Sequence, residues 1–486
     1  MEQSATKRIA KNVSWLFAGN TINGILAFAM TIYIARTLGA SSFGLFQFAQ
    51  AFLAYLLLLV DSGLSILGTK EISTKKENAG SIALNFLSVR VLVGIILVII
   101  SIILLLFLPL SIEIRYLFIA TFLFVFYRAL NADWVFQGLE QMKYISFAKI
   151  FYTFLSFIYI LILVKGPGDL IKVPLILTIC GIISSLFFCG VLFKWFIKAK
   201  LQDFTPSLWT SYFIKALPLG ASIMMMQIYT NLDTIMLGFM ARSEDVGYYN
   251  AAYKIFFMMI GIFGIWQAAA IPVMNKRMSH DPVSARLFLE KYSHLTLIGF
   301  VPLILLVFLT APQIISLAFG ANYAPAGMAL SILVWALLPT YLASNFGVMT
   351  LIPAGKYYEF LVAVTIGAGV NIVFNFILIP RFGFSGAAVA TIIAETFVLL
   401  MLFYYSLRIM RIKLLANTLR PAMAMIVATL VFFILNHSAV FASLYLKTAI
   451  AAVGFILSYL AIILLAEKEF IFGFLNEIKR SSEAIQ

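Results

Sequence analysis

Six charged residues stand in stretches that are otherwise apolar: Asp61, Arg90, Arg128, Asp233, Lys254 and Glu395. Charge is expensive in hydrocarbon, so ionisable residues kept there pair with one another, line a wet cavity or carry an ion. The cations suit an anionic group, and guanidinium suits phosphate best, because its planar donors can hold two oxygens at once. The carboxylates suit pairing with those cations, or the carriage of a proton or sodium ion. Arg128 lies about 14 residues into its stretch, roughly 21 Å along a helix at about 1.5 Å per residue, near mid-bilayer. It is expected to face a cavity or to pair with Asp133 or Glu395. Asp61 and Arg90 lie at similar depth in adjacent stretches, which makes an ion pair plausible, and Asp233 with Lys254 repeats that arrangement. Asn231 and Asn250 are suited to binding hydroxyls or to bridging helices. Asp133, Gln137 and Glu140 follow a helical i, i+4, i+7 progression and so share one face. Asp133 and Gln137 join the candidate cavity set, and Glu140 falls at the aqueous rim. Tyr229 is a further cavity candidate, whereas the run Met224 to Met226 reads as flexible packing.

Helices must position these residues. About fourteen apolar stretches, each long enough to cross a bilayer, fill the 486-residue chain almost end to end. Hydrophobic residues make up 63% of the chain and charged residues 11%, whereas a soluble domain carries roughly a quarter charged residues. A soluble fold is excluded, and an all-α polytopic membrane protein is expected. The net charge of +14 would fit nucleic acid if it were clustered. With the N-terminus placed in the cytoplasm, however, roughly 24 of the 34 Lys and Arg residues fall in inside segments. Those are orientation signals, so both termini are expected inside and no nucleic-acid partner is expected. Cys180 and Cys189 suggest neither a metal site nor a disulfide framework, and His280, His294 and His437 are scattered. No metal or cofactor is expected. The outer loops are too short for a catalytic cluster, so no enzyme is expected either.

The chain repeats itself. FGLFQFAQAF from Phe43 matches VGYYNAAYKI from Val246, and QMKYISFAKI from Gln141 matches AGKYYEFLVA from Ala354. The simplest reading is two six-helix lobes, residues 1–205 and 206–415, followed by two further helices and a tail over 416–486. Pro218, followed by Gly220, is the best candidate for a bend that changes during transport.

Several strings carry a resemblance: VDSGLSILGTKEIS from Val60, DWVFQGLEQMKYI from Asp133, DTIMLGFM from Asp233, DVGYYNAAYKI from Asp245 and NIVFNFILIPRFGFSGAAVAT from Asn371. The chain resembles Wzx-type polysaccharide (O-antigen) repeat-unit flippases of the multidrug/oligosaccharidyl-lipid/polysaccharide (MOP) exporter superfamily over essentially its whole length. The resemblance implies two lobes in a V around a central cavity in the bacterial cytoplasmic (inner) membrane. It implies alternating-access transport of an undecaprenyl-pyrophosphate-linked oligosaccharide from the cytoplasmic to the outer leaflet. The implied partners are that glycan, membrane lipid, a polysaccharide polymerase and chain-length machinery. The alternative on the same fold is a cation-coupled small-molecule or multidrug antiporter, with Asp61, Asp233 or Glu395 carrying the ion. Cation-coupled exporters of the superfamily usually hold an acidic residue midway along the first helix, and VSWLFAGNTINGILAFAMTIYIA has none. The early Arg-Asp pair of lipid II flippases is also missing.

Overall fold

The computed structural model describes the backbone of residues 2–412, 419–438 and 443–483. The side chains of 2–10, 201, 219, 221–229, 475 and 478–483 lie outside the described residues, and with them the expectations for Tyr229 and for Met224 to Met226. Every regular element among the described residues is helical. Backbone polar groups find no partner in lipid, and a helix satisfies them within one segment. Ten described helices are long and apolar enough to cross a membrane. The protein is an all-α, multi-pass membrane protein. The chain forms two compact units, residues 1–247 and 248–486.

The first unit holds α1 (Glu2–Asp61), α2 (Leu64–Thr74), α3 (Ala79–Phe107), α4 (Ile112–Phe122), α5 (Val125–Leu130), α6 (Asp133–Gly138), α7 (Met142–Leu163), α8 (Lys172–Trp195) and α9 (Trp209–Met240), together with the start of α10 (Ser243–His280). At 60 residues, α1 would run about 90 Å at about 1.5 Å per residue, some three times the hydrocarbon thickness. It turns at Gly39, where φ 76° and ψ 170° need a residue without a Cβ. Beyond Asp61 the chain passes through Ser62 (φ 41°) and Gly63 (φ 84°) before α2 begins. The apolar stretch that carries Asp61 is therefore broken next to its charged residue. The apolar stretch that carries Arg128 is likewise divided into α4, α5 and α6.

Both sequence echoes have physical counterparts. A Cβ on Gly44 would sit 1.8 Å from the Ser243 carbonyl oxygen, and one on Gly247 would sit 2.1 Å from that of Ala40. The contact is reciprocal: each copy of the repeated glycine packs on the residue four before its counterpart, as in a two-fold interface. In the second echo, Gln141 N–H donates to Phe136 O and Lys356 N–H to Leu351 O, both at 2.8 Å. A left-handed residue precedes each donor, Glu140 (φ 60°) and Gly355 (φ 72°). These are the 6→1 closures of helix ends. They align Glu140 with Gly355, two residues away from the register that the lettering suggests.

Asn85 ties the segment after α8 onto α3. Fully buried, its Nδ2 donates to Asp203 O at 2.7 Å and Ser81 O at 2.9 Å. Its Oδ1 accepts from Thr205 N at 2.9 Å and Trp209 Nε1 at 3.0 Å. Asn85→Leu strands these groups and is expected to cost about 1–3 kcal/mol, read as a lowered melting temperature in detergent. An unchanged melting temperature would mean that the network contributes nothing.

The second unit continues α10 and adds α11 (Pro282–Phe319), α12 (Ala324–Leu333), α13 (Leu337–Phe346), α14 (Tyr357–Leu407), α15 (Leu419–Asn436) and α16 (Leu444–Glu483). Within α14 the chain turns at Gly383 (φ 53°). Helices α11 and α16 run antiparallel along most of their length. Phe288 meets Phe474 at 5.2 Å between ring centroids, the Tyr459 hydroxyl donates to Ile298 O at 2.7 Å, and Ser316 Oγ lies 2.8 Å from the Tyr445 hydroxyl. At one end Glu477 receives Arg277 at 2.8 Å and Lys291 at 3.0 Å. Burial pushes the Glu477 carboxyl up, but these hydrogen bonds outweigh it and hold the carboxyl below its ordinary range.

Candidate functional site

The two breaks in the first unit meet at one ionic cluster. Asp61, the last residue of α1, lies 3.7 Å from Arg90 Nη2 of α3 and 3.4 Å from Arg128 Nη2 of α5. Arg90 has no exposed surface. Its Nη1 donates to Asn131 O at 2.9 Å and its Nη2 donates to Arg128 O. Those are carbonyls at the end of α5, where Arg128 O also accepts from Asn131 N–H at 3.4 Å. Irregular backbone persists at membrane depth only where protein satisfies it, and here Arg90 does so. A cation at a helix C-terminus is also favoured by the dipole.

Arg128 differs from Arg90 in one respect that decides its chemistry: 39% of its side chain is exposed. Its Nη2 faces Asp61. Its partner is Asp61, rather than the Asp133 or Glu395 considered from sequence. Ser65 Oγ donates to Asp61 Oδ1 and fixes the carboxylate from α2. Asn131 Oδ1 accepts from Asp133 N–H at 3.1 Å, and Asp133 lies in electrostatic reach of Lys149, Arg128 and Arg90. Asn131 and Ser65 were not singled out from sequence. Asn131, a polar residue three positions beyond Arg128, was the available signal.

Close packing holds the cluster. A Cβ on Gly220 of α9 would stand 2.4 Å from the Ser62 carbonyl carbon, so this glycine lets α9 lie directly on the α1–α2 break. On the other side, Gly68 of α2 accommodates the Trp134 ring, where a Cβ would come within 2.3 Å, and Thr69 Oγ1 donates to Trp134 O at 3.0 Å. The string from Asp133 thus fastens α6 to α2. Gln137 is exposed. The helix ends at Gly138 and Glu140 is left-handed, so the face expected to run from Asp133 to Glu140 stops short.

The other candidates lie elsewhere. Asn231 is half-buried and Asp233 buried on α9, with Asp233 in electrostatic reach of Tyr55. By about 1.5 Å per residue they are roughly 16–20 Å along the helix from Gly220. Pro218 lies inside α9 without ending it. In the second unit Asn250 is buried on α10, and Lys254, one turn on, is half-buried. Lys254 has no ion-pair or hydrogen-bond partner among the described residues. Glu395 is half-buried on α14, one turn from Thr391, whose Oγ1 lies 3.4 Å from the Tyr249 hydroxyl. Between α11 and α16 lies an apolar cavity of about 490 Å³, lined by Leu295, Ile298, Leu303, Phe455, Tyr459 and Ile463 among others.

A profile described as polysaccharide biosynthesis protein matches residues 9–278. The chain belongs to this family. It is 26% identical over 399 residues to a Shigella dysenteriae protein named "Putative O-antigen transporter", covering 80% of this chain and 98% of that one. In fold it matches a lipid II flippase, MurJ, in an inward closed conformation, with TM-score 0.76 and 16% identity, covering 94% of this chain and 99% of the other. It also matches an inward-facing multidrug-resistance MATE family transporter of the MOP superfamily, with TM-score 0.67 and 17% identity, covering 80% and 94%. The expected family and superfamily fold are therefore found.

Proposed function

We propose that this protein is a flippase that moves undecaprenyl-pyrophosphate-linked oligosaccharide repeat units from the cytoplasmic to the outer leaflet of the bacterial inner membrane. Alternating access carries the headgroup across, and the product feeds a polymerase with its chain-length machinery. The observation that carries this reading is Arg128, whose side chain is part-exposed while Asp61 holds its guanidinium on a helix end that Arg90 stabilises. An isolated phosphate costs tens of kcal/mol to bring into hydrocarbon by Born arithmetic, and each unpaired hydroxyl several more. A cation near mid-depth lowers the first cost, and polar residues such as Asn231, Asn250 and Gln137 are suited to the second. The polyprenyl tail has no such difficulty, and the apolar cavity between α11 and α16 is suited to a segment of it. With the inside negative, a dianionic headgroup moving outward gains roughly 4.6 kcal/mol per 100 mV.

The class of substrate is tested in proteoliposomes holding a defined lipid-linked oligosaccharide. Outward movement of that lipid is the expected result. Gradient-dependent efflux of a small cationic drug, with no lipid movement, would replace the flippase by the antiporter. Alternating access has its own test. Ser41 Oγ and Ser243 Oγ stand 2.7 Å apart beside the paired glycines, at the outer end if both termini are cytoplasmic. The double variant Ser41→Cys/Ser243→Cys, with Cys180 and Cys189 replaced by Ser, is expected to lose transport on oxidation and regain it on reduction. Full transport by the cross-linked protein would show that this contact never opens.

A further inference from the structure

A second buried pair of ionisable side chains crosses the seam between α11 and α16. His294 and Glu467 are each 7% exposed. Neither ring nitrogen of His294 has a hydrogen-bond partner among the described residues, and nor does Glu467 Oε1. Orphaned polar atoms this deeply buried are uncommon in folded proteins and need a reason. The imidazole stands edge-on to Phe470, 5.0 Å between ring centroids. Glu467 is one turn before Phe470 on the same face of α16, and it is the charged group in electrostatic reach of His294.

Among the described residues around the pair, Arg420 is the further charged group within ion-pair distance of it. Helices α12 and α13 carry no Asp, Glu, Lys, Arg or His, and the Tyr341 hydroxyl of α13 is donated to Met259 O at 3.0 Å. On α11, Tyr292 stacks on Trp266 of α10, while Lys291 joins Arg277 of α10 on Glu477. On α16, Lys468 and Glu469 are exposed, and the Tyr459 hydroxyl is committed to Ile298 O. From α15, Arg420 Nη1 reaches within 3.7 Å of Glu467 Oε1 with 66% of its side chain in the open. Glu467 thus has Arg420 as its counter-charge within ion-pair distance.

We propose that His294 and Glu467 form a proton-binding site. A neutral imidazole offers one free nitrogen lone pair. One proton from water adds there, no other bond breaks, and the field of the Glu467 carboxylate stabilises the resulting imidazolium. The charge of the pair changes from −1 to 0 across the α11–α16 seam. Coupling of that proton to transport rests on the flippase reading; binding of the proton does not.

The chain contains three histidines, so the full-length protein labelled with 15N-histidine in lipid nanodiscs gives three imidazole signals, and His294→Gln identifies one of them. That signal is expected to titrate in a single proton step, and Glu467→Gln is expected to weaken proton binding about tenfold, one unit in midpoint. A signal that does not titrate, or one whose midpoint Glu467→Gln leaves in place, overturns the site. In proteoliposomes with a defined lipid-linked oligosaccharide, an imposed pH gradient is expected to change the wild-type initial rate. In His294→Gln the ratio of rates with and without the gradient should fall to one. An unaltered ratio overturns the coupling. Absence of lipid movement in the wild type would defeat the flippase reading instead, and the titration would still decide the proton site.

Discussion

Asp61→Asn is expected to lower stability by about 3–5 kcal/mol, the cost of leaving a buried charge without its partner. The effect falls on Arg90, which has no exposed surface and cannot turn to water once Asp61 is neutral. Arg128 loses the same partner at little cost, because its side chain is 39% exposed. Thermal unfolding of the purified protein, together with its level in the membrane, reads the change. Arg90→Met should also destabilise, through the carbonyls of Arg128 and Asn131 that it serves. The double variant should lose less than the sum of the two, by about 0.5–3 kcal/mol. Strict additivity would mean that Asp61 and Arg90 do not support each other.

Arg128→Gln is expected to do the reverse, keeping the fold and abolishing transport. Removing one side of a desolvated charge pair costs about 2–5 kcal/mol of binding, and the headgroup would otherwise cross without a counter-charge. Arg128→Lys keeps the charge but loses the two-oxygen geometry, so it should retain part of the activity. The readout is surface polysaccharide in cells that depend on this protein, at matched membrane levels. Full activity in the Gln variant would remove Arg128 from the mechanism.

Much of this arrangement was legible in the residues. Hydropathy and loop charge indicated a multi-pass helical protein, and depth counting suggested Asp61 beside Arg90. The breaks were not legible. Ser62, Glu140 and the bend before Asp133 owe their conformations to tertiary partners, and spacing read along an ideal helix carries nothing about them. For Arg128, the breaks add a neighbour, Asp61 at 3.4 Å, that spacing along an ideal helix does not offer. The repeat was visible as lettering, but its basis is backbone contact at Gly44 and Gly247, and a glycine selected for close approach looks like any other glycine in sequence. His294 was set aside as too isolated for metal binding, and its partner lies 173 positions away, beyond any spacing rule.

The account stands on an anionic headgroup being held by Arg128. The direct measurement is native mass spectrometry of the purified protein with a polyprenyl diphosphate, the corresponding monophosphate and the free alcohol, each at graded concentration. The wild type should bind diphosphate most tightly and alcohol least, and Arg128→Gln should reduce the diphosphate and the monophosphate to the level of the alcohol. Equal retention of the diphosphate by wild type and Arg128→Gln would contradict the assignment.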